Sequence, residues 1–112
     1  MLHHMTLTKF PFEKIISGEK IIESRLYDEK RQKVNVGDQI EFSNVEDVKK
    51  KVLVRVMALY CYETFEELFS SFPCEYFGGE SKSELNDSIG KFYSKSNQER
   101  WGVVGIKVEL LK

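Results

Sequence analysis

Val52 to Tyr62 is the stretch that most limits what this chain can fold into. In an extended backbone Val52, Val54, Val56, Ala58, Tyr60 and Tyr62 share one face, and Leu53, Met57, Leu59 and Cys61 share the other, interrupted by Arg55. Apolar residues on both faces predict a central strand that needs cover on each side. Cys61 in that setting reads as a small buried hydrophobe rather than a nucleophile. The remaining segments must supply the neighbouring strands and the cover.

They carry the right signals. Met5 and Leu7 alternate with Thr6 and Thr8 in a short first strand. His3 and His4 before them point to opposite faces, so they do not share a metal, and they read as an exposed start. Phe10 to Gly18 predicts a short helix. Pro11 takes its first position, Phe12, Ile15 and Ile16 form its apolar face, and Gly18 its left-handed end. A strand follows from Lys20 to Tyr27. Gly37-Asp38 marks a turn into a strand with Ile40 and Phe42 inward, and Asn44 to Lys51 a charged hairpin connection. Thr64 and Glu67 make a capping box for a helix with Phe65, Leu68, Phe69 and Phe72 on one face, stopped by Pro73. Ser81 and Glu84 repeat the box for a helix with Leu85, Ile89, Phe92 and Tyr93. Ser96 and Glu99 suggest a further short helical turn, and Val104, Ile106, Val108 and Leu110 alternate in a closing strand. Strands supply the core and helices close its ends, which predicts an α+β fold, a small partly open β-barrel. Phe65, Leu68, Phe69, Val54, Val56, Ile106 and Val108 are its expected buried set.

At 112 residues and 41% hydrophobic, the chain suits a single domain over 1–112. No run is long and apolar enough to span a membrane, and the N-terminus lacks the layout of a signal peptide. Cys61 and Cys74 offer neither metal spacing nor a disulfide framework, so a reduced, cytoplasmic setting without a metal is expected. Gly78-Gly79 lacks the lysine and hydroxyl of a phosphate loop, and no cofactor motif is present. The formal net charge of −1 excludes gripping nucleic acid by bulk charge, so phosphate contact requires a local patch.

The densest chemistry lies between Ser17 and Arg31. Ile21, Glu23 and Arg25 share one strand face, with Ile22, Ser24 and Leu26 on the other. Lys20 joins Glu23 and Arg25 only if the strand start is twisted or bulged near Gly18. Arg25 offers a planar fork for phosphate or a base edge, and Glu23 an acceptor for an exocyclic amino group. Lys20 can pair with phosphate or, desolvated, act as a base. Tyr27 can stack on a base or fill the core. Lys30, Arg31 and Lys33 can form the basic patch, which Asp28 and Glu29 partly cancel. A salt-bridged surface row of little energetic weight is the plain alternative for Lys20, Glu23 and Arg25.

Three stretches together resemble the ASCH domain family, of the PUA-like superfamily. They are Pro11-Phe12 with Gly18-Glu19-Lys20, Glu23 and Arg25; Val36-Gly37-Asp38 with Ile40 and Phe42; and Phe92-Tyr93 with Trp101-Gly102-Val103-Val104-Gly105-Ile106. The resemblance implies a PUA-like barrel with a cleft beside the 20–27 strand, binding RNA, a nucleotide or a modified nucleobase. Lys20, Glu23, Arg25, Tyr27, Lys30 and Arg31 are the candidate binding residues. One small ASCH-type group, similar in size, is an amidohydrolase that removes the acetyl group from cytidine acetylated on its exocyclic amine. Its proposed set is a lysine, a threonine three residues later and a distant glutamate. Lys20 matches the lysine and Glu23 stands at the threonine position. Glu75, Glu80 and Glu84 are candidates for the glutamate, with Glu80 the one carried as catalytic. Hydrolysis of an acylated nucleoside through Lys20 and Glu23 is therefore the second reading, and ribonuclease action the third.

Overall fold

The computed structural model describes residues 1–111. Five strands form one sheet in the order β1-β3-β4-β5-β2. These are β1 (Leu2–Leu7), β2 (Ile22–Leu26), β3 (Gln39–Asn44), β4 (Lys51–Tyr62) and β5 (Val103–Leu110). The helices are α1 (Lys9–Ser17), α2 (Phe65–Ser70), α3 (Lys82–Gly90) and α4 (Lys95–Trp101). The sheet is a half-barrel, and with the four helices it makes the α+β, PUA-like fold. The long apolar stretch is indeed the central strand. It pairs antiparallel with both β3 and β5, while β1 runs parallel to β3.

Each face of the sheet has its own core. Met5, Leu7, Ile40, Phe42, Val54, Val56, Val104, Ile106 and Val108 line the inside of the curl, where Phe12 and Ile15 of α1 plug it. On the other face Ile22, Leu26 and Val103 pack against Phe65, Leu68, Phe69 and Phe77. All seven residues of the expected buried set are buried. Gly105 lies where these layers press closest, since a Cβ there would meet Leu68 Cδ1 at 2.8 Å.

The structure corrects several expectations. The faces of β4 do not alternate throughout, because the pairing with β5 slips between Val56 and Ala58. The bulge at Met57 turns the later residues over: Val54, Val56 and Leu59 serve the inner core, Tyr60 and Tyr62 the outer one. Cys61 then falls past the end of the inner core and is exposed. Partial desolvation raises its thiol pKa, and a hydrogen bond with Tyr27 opposes that rise. The first helix begins at Lys9, with Thr8 before it, so Pro11 is not its first residue, and Ile16 is exposed. The helix α3 ends at Gly90, which leaves Phe92 beyond it and 66% exposed. Ser94, not Ser96, caps α4. His3 is buried against Asp38, with Nε2 and Oδ2 2.8 Å apart, and is no loose start.

Among the described residues no helix is long and apolar enough to cross a membrane.

Candidate functional site

The strand order leaves β1 and β2 as the two edges of the half-barrel, and their free edges face the same gap. Main-chain bonds to β3 use the odd residues of β1, as where the Val45 N–H donates to the Leu7 carbonyl, so the His4 and Thr6 carbonyls point into the gap. Side chains from beyond the gap fill those acceptors. Arg25 Nη2 donates to the Thr6 carbonyl at 2.7 Å, and Lys30 Nζ to the His4 carbonyl at 2.9 Å. Cationic side chains thus close the seam where a barrel would use a sheet ladder.

A cavity of about 690 Å³ opens beside this seam. One wall is the end of β1 and the start of α1, with Thr6, Thr8, Phe10 and Lys14. The opposite wall is α3 and the turn after it, with Glu84, Leu85, Ile89, Lys91, Phe92 and Tyr93. Lys20, Glu23, Ser24 and Arg25 form the side along β2, and Phe69 and Phe77 supply apolar cover. The ring of Phe77 meets that of Phe69 edge-on at 4.9 Å, which fixes this floor.

Lys20 does reach Glu23, although strand alternation sets it on the wrong face. It precedes β2, which starts only at Ile22, so strand alternation does not fix its direction. Lys20 Nζ lies 2.9 Å from Glu23 Oε1, and Arg25 Nε donates to Glu23 Oε2 at 2.7 Å. Gly78 holds the neighbouring turn tight against this group. Its φ is 80°, a Cβ would stand 3.2 Å from both Lys14 and Lys20, and its carbonyl accepts from Lys14 Nζ.

Glu23 is only 4% exposed, so its two cationic partners dominate its chemistry. Burial raises its pKa, but the charges and hydrogen bonds of Lys20 and Arg25 outweigh that and hold it at about 2. Burial likewise opposes the charge of Arg25, and the Glu23 carboxylate, with Tyr93 adding to it, raises its pKa overall. A carboxylate at about 2 is a weak proton acceptor near neutral pH. The group can hold charge and donate hydrogen bonds far better than it can shuttle protons.

Of the other sequence candidates, Tyr27 packs against the inner core and Lys30 is drawn to the β1 edge. Arg31 pairs with Asp28 at 3.0 Å. None of these three lines the cavity, nor do Glu75 or Glu80, whereas Glu84 does. Sequence reasoning missed Phe10, Lys14, Lys91 and Phe92 as cleft residues. One signal was present: Phe10 stands off the apolar face of its own helix. Among the described residues no three His, Cys, Asp or Glu side chains gather as metal ligands.

The ASCH domain family model matches residues 5–112. Among solved structures, the crystal structure of PH0355 is similar at 32% identity and a TM-score of 0.88, covering 99% of this chain and 100% of that one. PF0455 from Pyrococcus furiosus is 33% identical at a TM-score of 0.78, covering 100% and 99%. An ASCH domain from Lactobacillus crispatus shares the fold at 14% identity, with a TM-score of 0.70 over 97% of this chain and 79% of that one. No curated protein matches. With the family model spanning nearly its full length, the chain belongs to the ASCH domain family.

Proposed function

We propose that this ASCH domain binds RNA or a nucleotide in the cleft between α1, β2 and α3. One observation carries the reading. The chain is net negative, yet four cationic side chains, Lys14, Lys20, Arg25 and Lys91, line this one cavity against the two carboxylates Glu23 and Glu84. That is the local patch a net-negative protein needs to contact phosphate. Phe10 and Phe92, 70% and 66% exposed, stand on opposite walls of the same cavity and offer ring faces to a base. Lys20, Glu23 and Arg25 serve the site as a rigid charged wall. Lys30 and Arg31 lie outside the cavity and at most extend the path of a longer strand.

The amidohydrolase and ribonuclease readings both ask Glu23 to take a proton, from water or from a ribose hydroxyl. Its low pKa and its two engaged oxygens speak against that.

Titration with short single-stranded RNA at two salt concentrations tests the proposal. Affinity should fall as salt rises, and Lys91→Ala should weaken binding and make the log–log salt slope shallower by about 0.7, the scale for one phosphate contact on a single strand. Binding that ignores salt, or no binding at all, refutes it. Incubation with N-acetylated cytidine runs in parallel, and release of cytidine that Lys20→Ala abolishes would put the hydrolase in place of the binder.

A further inference from the structure

Ser24 is the buried residue that the fold leaves unexplained. It is 7% exposed, and its hydroxyl oxygen is covered from solvent without a hydrogen-bond partner. Buried hydroxyls are normally satisfied, and one that is not calls for a reason. No packing need requires a hydroxyl here, since Ser24 lies opposite Gly105 between the apolar residues Ile22 and Leu26. Ser24 does border the cleft.

Among the described residues its main chain has no partner on the open side of the strand either. In the antiparallel pair of β2 with β5, the Val108 N–H donates to the Ile21 carbonyl and the Tyr27 N–H to the Gly102 carbonyl. The odd residues of this strand therefore bond to β5, and the N–H and C=O of Ser24 point to the open edge. One residue thus presents an amide donor, a carbonyl acceptor and a hydroxyl that can serve as either.

That set does not suit a phosphate, because the carbonyl would repel an anion. It suits the edge of a nucleobase, where donors and acceptors alternate. The surroundings agree: Phe69, Phe77, Leu85 and Ile89 give apolar cover for a planar ring, while Lys91 on the outer wall is exposed to water. We infer that Ser24 is the residue that reads the ligand, hydrogen-bonding the edge of a nucleobase inserted into the cleft while the phosphate stays outside with Lys91. This rests on the nucleotide-binding reading above and adds the ligand's orientation and the residue that senses the base.

Ser24→Ala tests it, with the four ribonucleoside 5′-monophosphates and ribose 5-phosphate as probes in calorimetric titrations. The substitution should lower affinity for the preferred nucleotide about tenfold, the scale of one lost hydrogen bond. Binding of ribose 5-phosphate, weaker throughout, should not change. The melting temperature of the unliganded variant should equal or exceed that of the wild type, since no hydrogen bond is lost on substitution. A fall in that temperature would reveal a structural partner and overturn the inference. Equal nucleotide binding by variant and wild type would overturn it too. Ribose 5-phosphate binding as tightly as the nucleotides would overturn the base-inward orientation yet leave the nucleotide-binding reading standing. Failure of every probe to bind would end both.

Discussion

Glu23 and Asp38 both titrate at about 2, yet they reach that value in unlike surroundings. Glu23 is buried in the wall of the cleft, where desolvation works against its charge and two cations overcome it. Asp38 stands in the turn before β3, partly open to water. Its carboxylate is engaged by His3 and by the Asn35 N–H, and the terminal ammonium lies 3.3 Å away. Those bonds tie the start of β1 to the turn before β3, and Asp38 does not line the cavity beside the seam. A depressed pKa therefore does not mark a functional site, because structural networks depress pKa values too. Burial of an ion-paired cluster in the wall of an open cavity is the more telling feature, and of these two carboxylates Glu23 is the one that has it.

The largest expected effect follows from that burial. Glu23→Ala leaves Lys20 and Arg25, whose side chains are 10% and 11% exposed, without their counter-charge. Removing one partner of a buried ion pair costs about 3–5 kcal/mol, and urea unfolding should show a loss on that scale. Asp38→Asn should cost clearly less, because the amide oxygen can still accept from His3 and the Asn35 N–H, and the terminal ammonium is exposed to water. Equal losses would break the contrast.

Much of the fold was legible in the sequence. The central strand, the Thr64 and Ser81 helix caps and the buried Phe65 and Phe69 of α2 follow from periodicity and from side chains that bond their own main chain, which are local rules, although Glu67 Oε1 accepts from the Thr64 hydroxyl rather than from its N–H. The bulge at Met57 was not legible, since nothing in the side chains from Val56 to Ala58 announces a register slip, and with it went the exposure of Cys61. The site divides in the same way. Glu23 and Arg25 could be grouped by alternation, but Lys20 joins them from the irregular stretch before β2, where alternation has no force. Lys14, Lys91 and Phe92 come to the cleft through the packing of helices distant in sequence, a tertiary fact. Phe92 misled because its spacing continues a helix that ends at Gly90.

Acid unfolding sharpens the comparison with a smaller effect. Both folded-state pKa values lie below those of unfolded carboxylates, so the unfolded chain takes up protons first as pH falls. Each group's contribution is fully present above about pH 4.5 and is lost as pH falls toward 2. The urea midpoint of the wild type should therefore drop across that window. Glu23→Gln should flatten the drop, and so should Asp38→Asn. Joined in one chain the two changes should flatten it by the sum of both, as separate sites do. A wild-type midpoint that stays level from pH 4.5 to 2 would contradict both assignments.

Salt should produce the smallest effect and the finest separation of the two carboxylates. Ions screen exposed charges over about 10 Å at 0.1 M and about 3 Å at 1 M, whereas buried pairs are screened far less. The quantity to follow is the difference in melting temperature between each variant and the wild type, because general effects of salt on folding cancel in it. Between 0.05 M and 1 M sodium chloride, the Asp38→Asn difference should shrink, since part of what the carboxylate contributes is attraction across water-exposed space. The Glu23→Ala difference should hold nearly constant, since its penalty is the burial of two unpaired cations that chloride reaches poorly. If the Glu23→Ala difference also collapses at high salt, chloride is entering the cleft and replacing the carboxylate. That result would make Lys20 and Arg25 an anion site in the variant and show the wall of the cleft to be open to ligand charge.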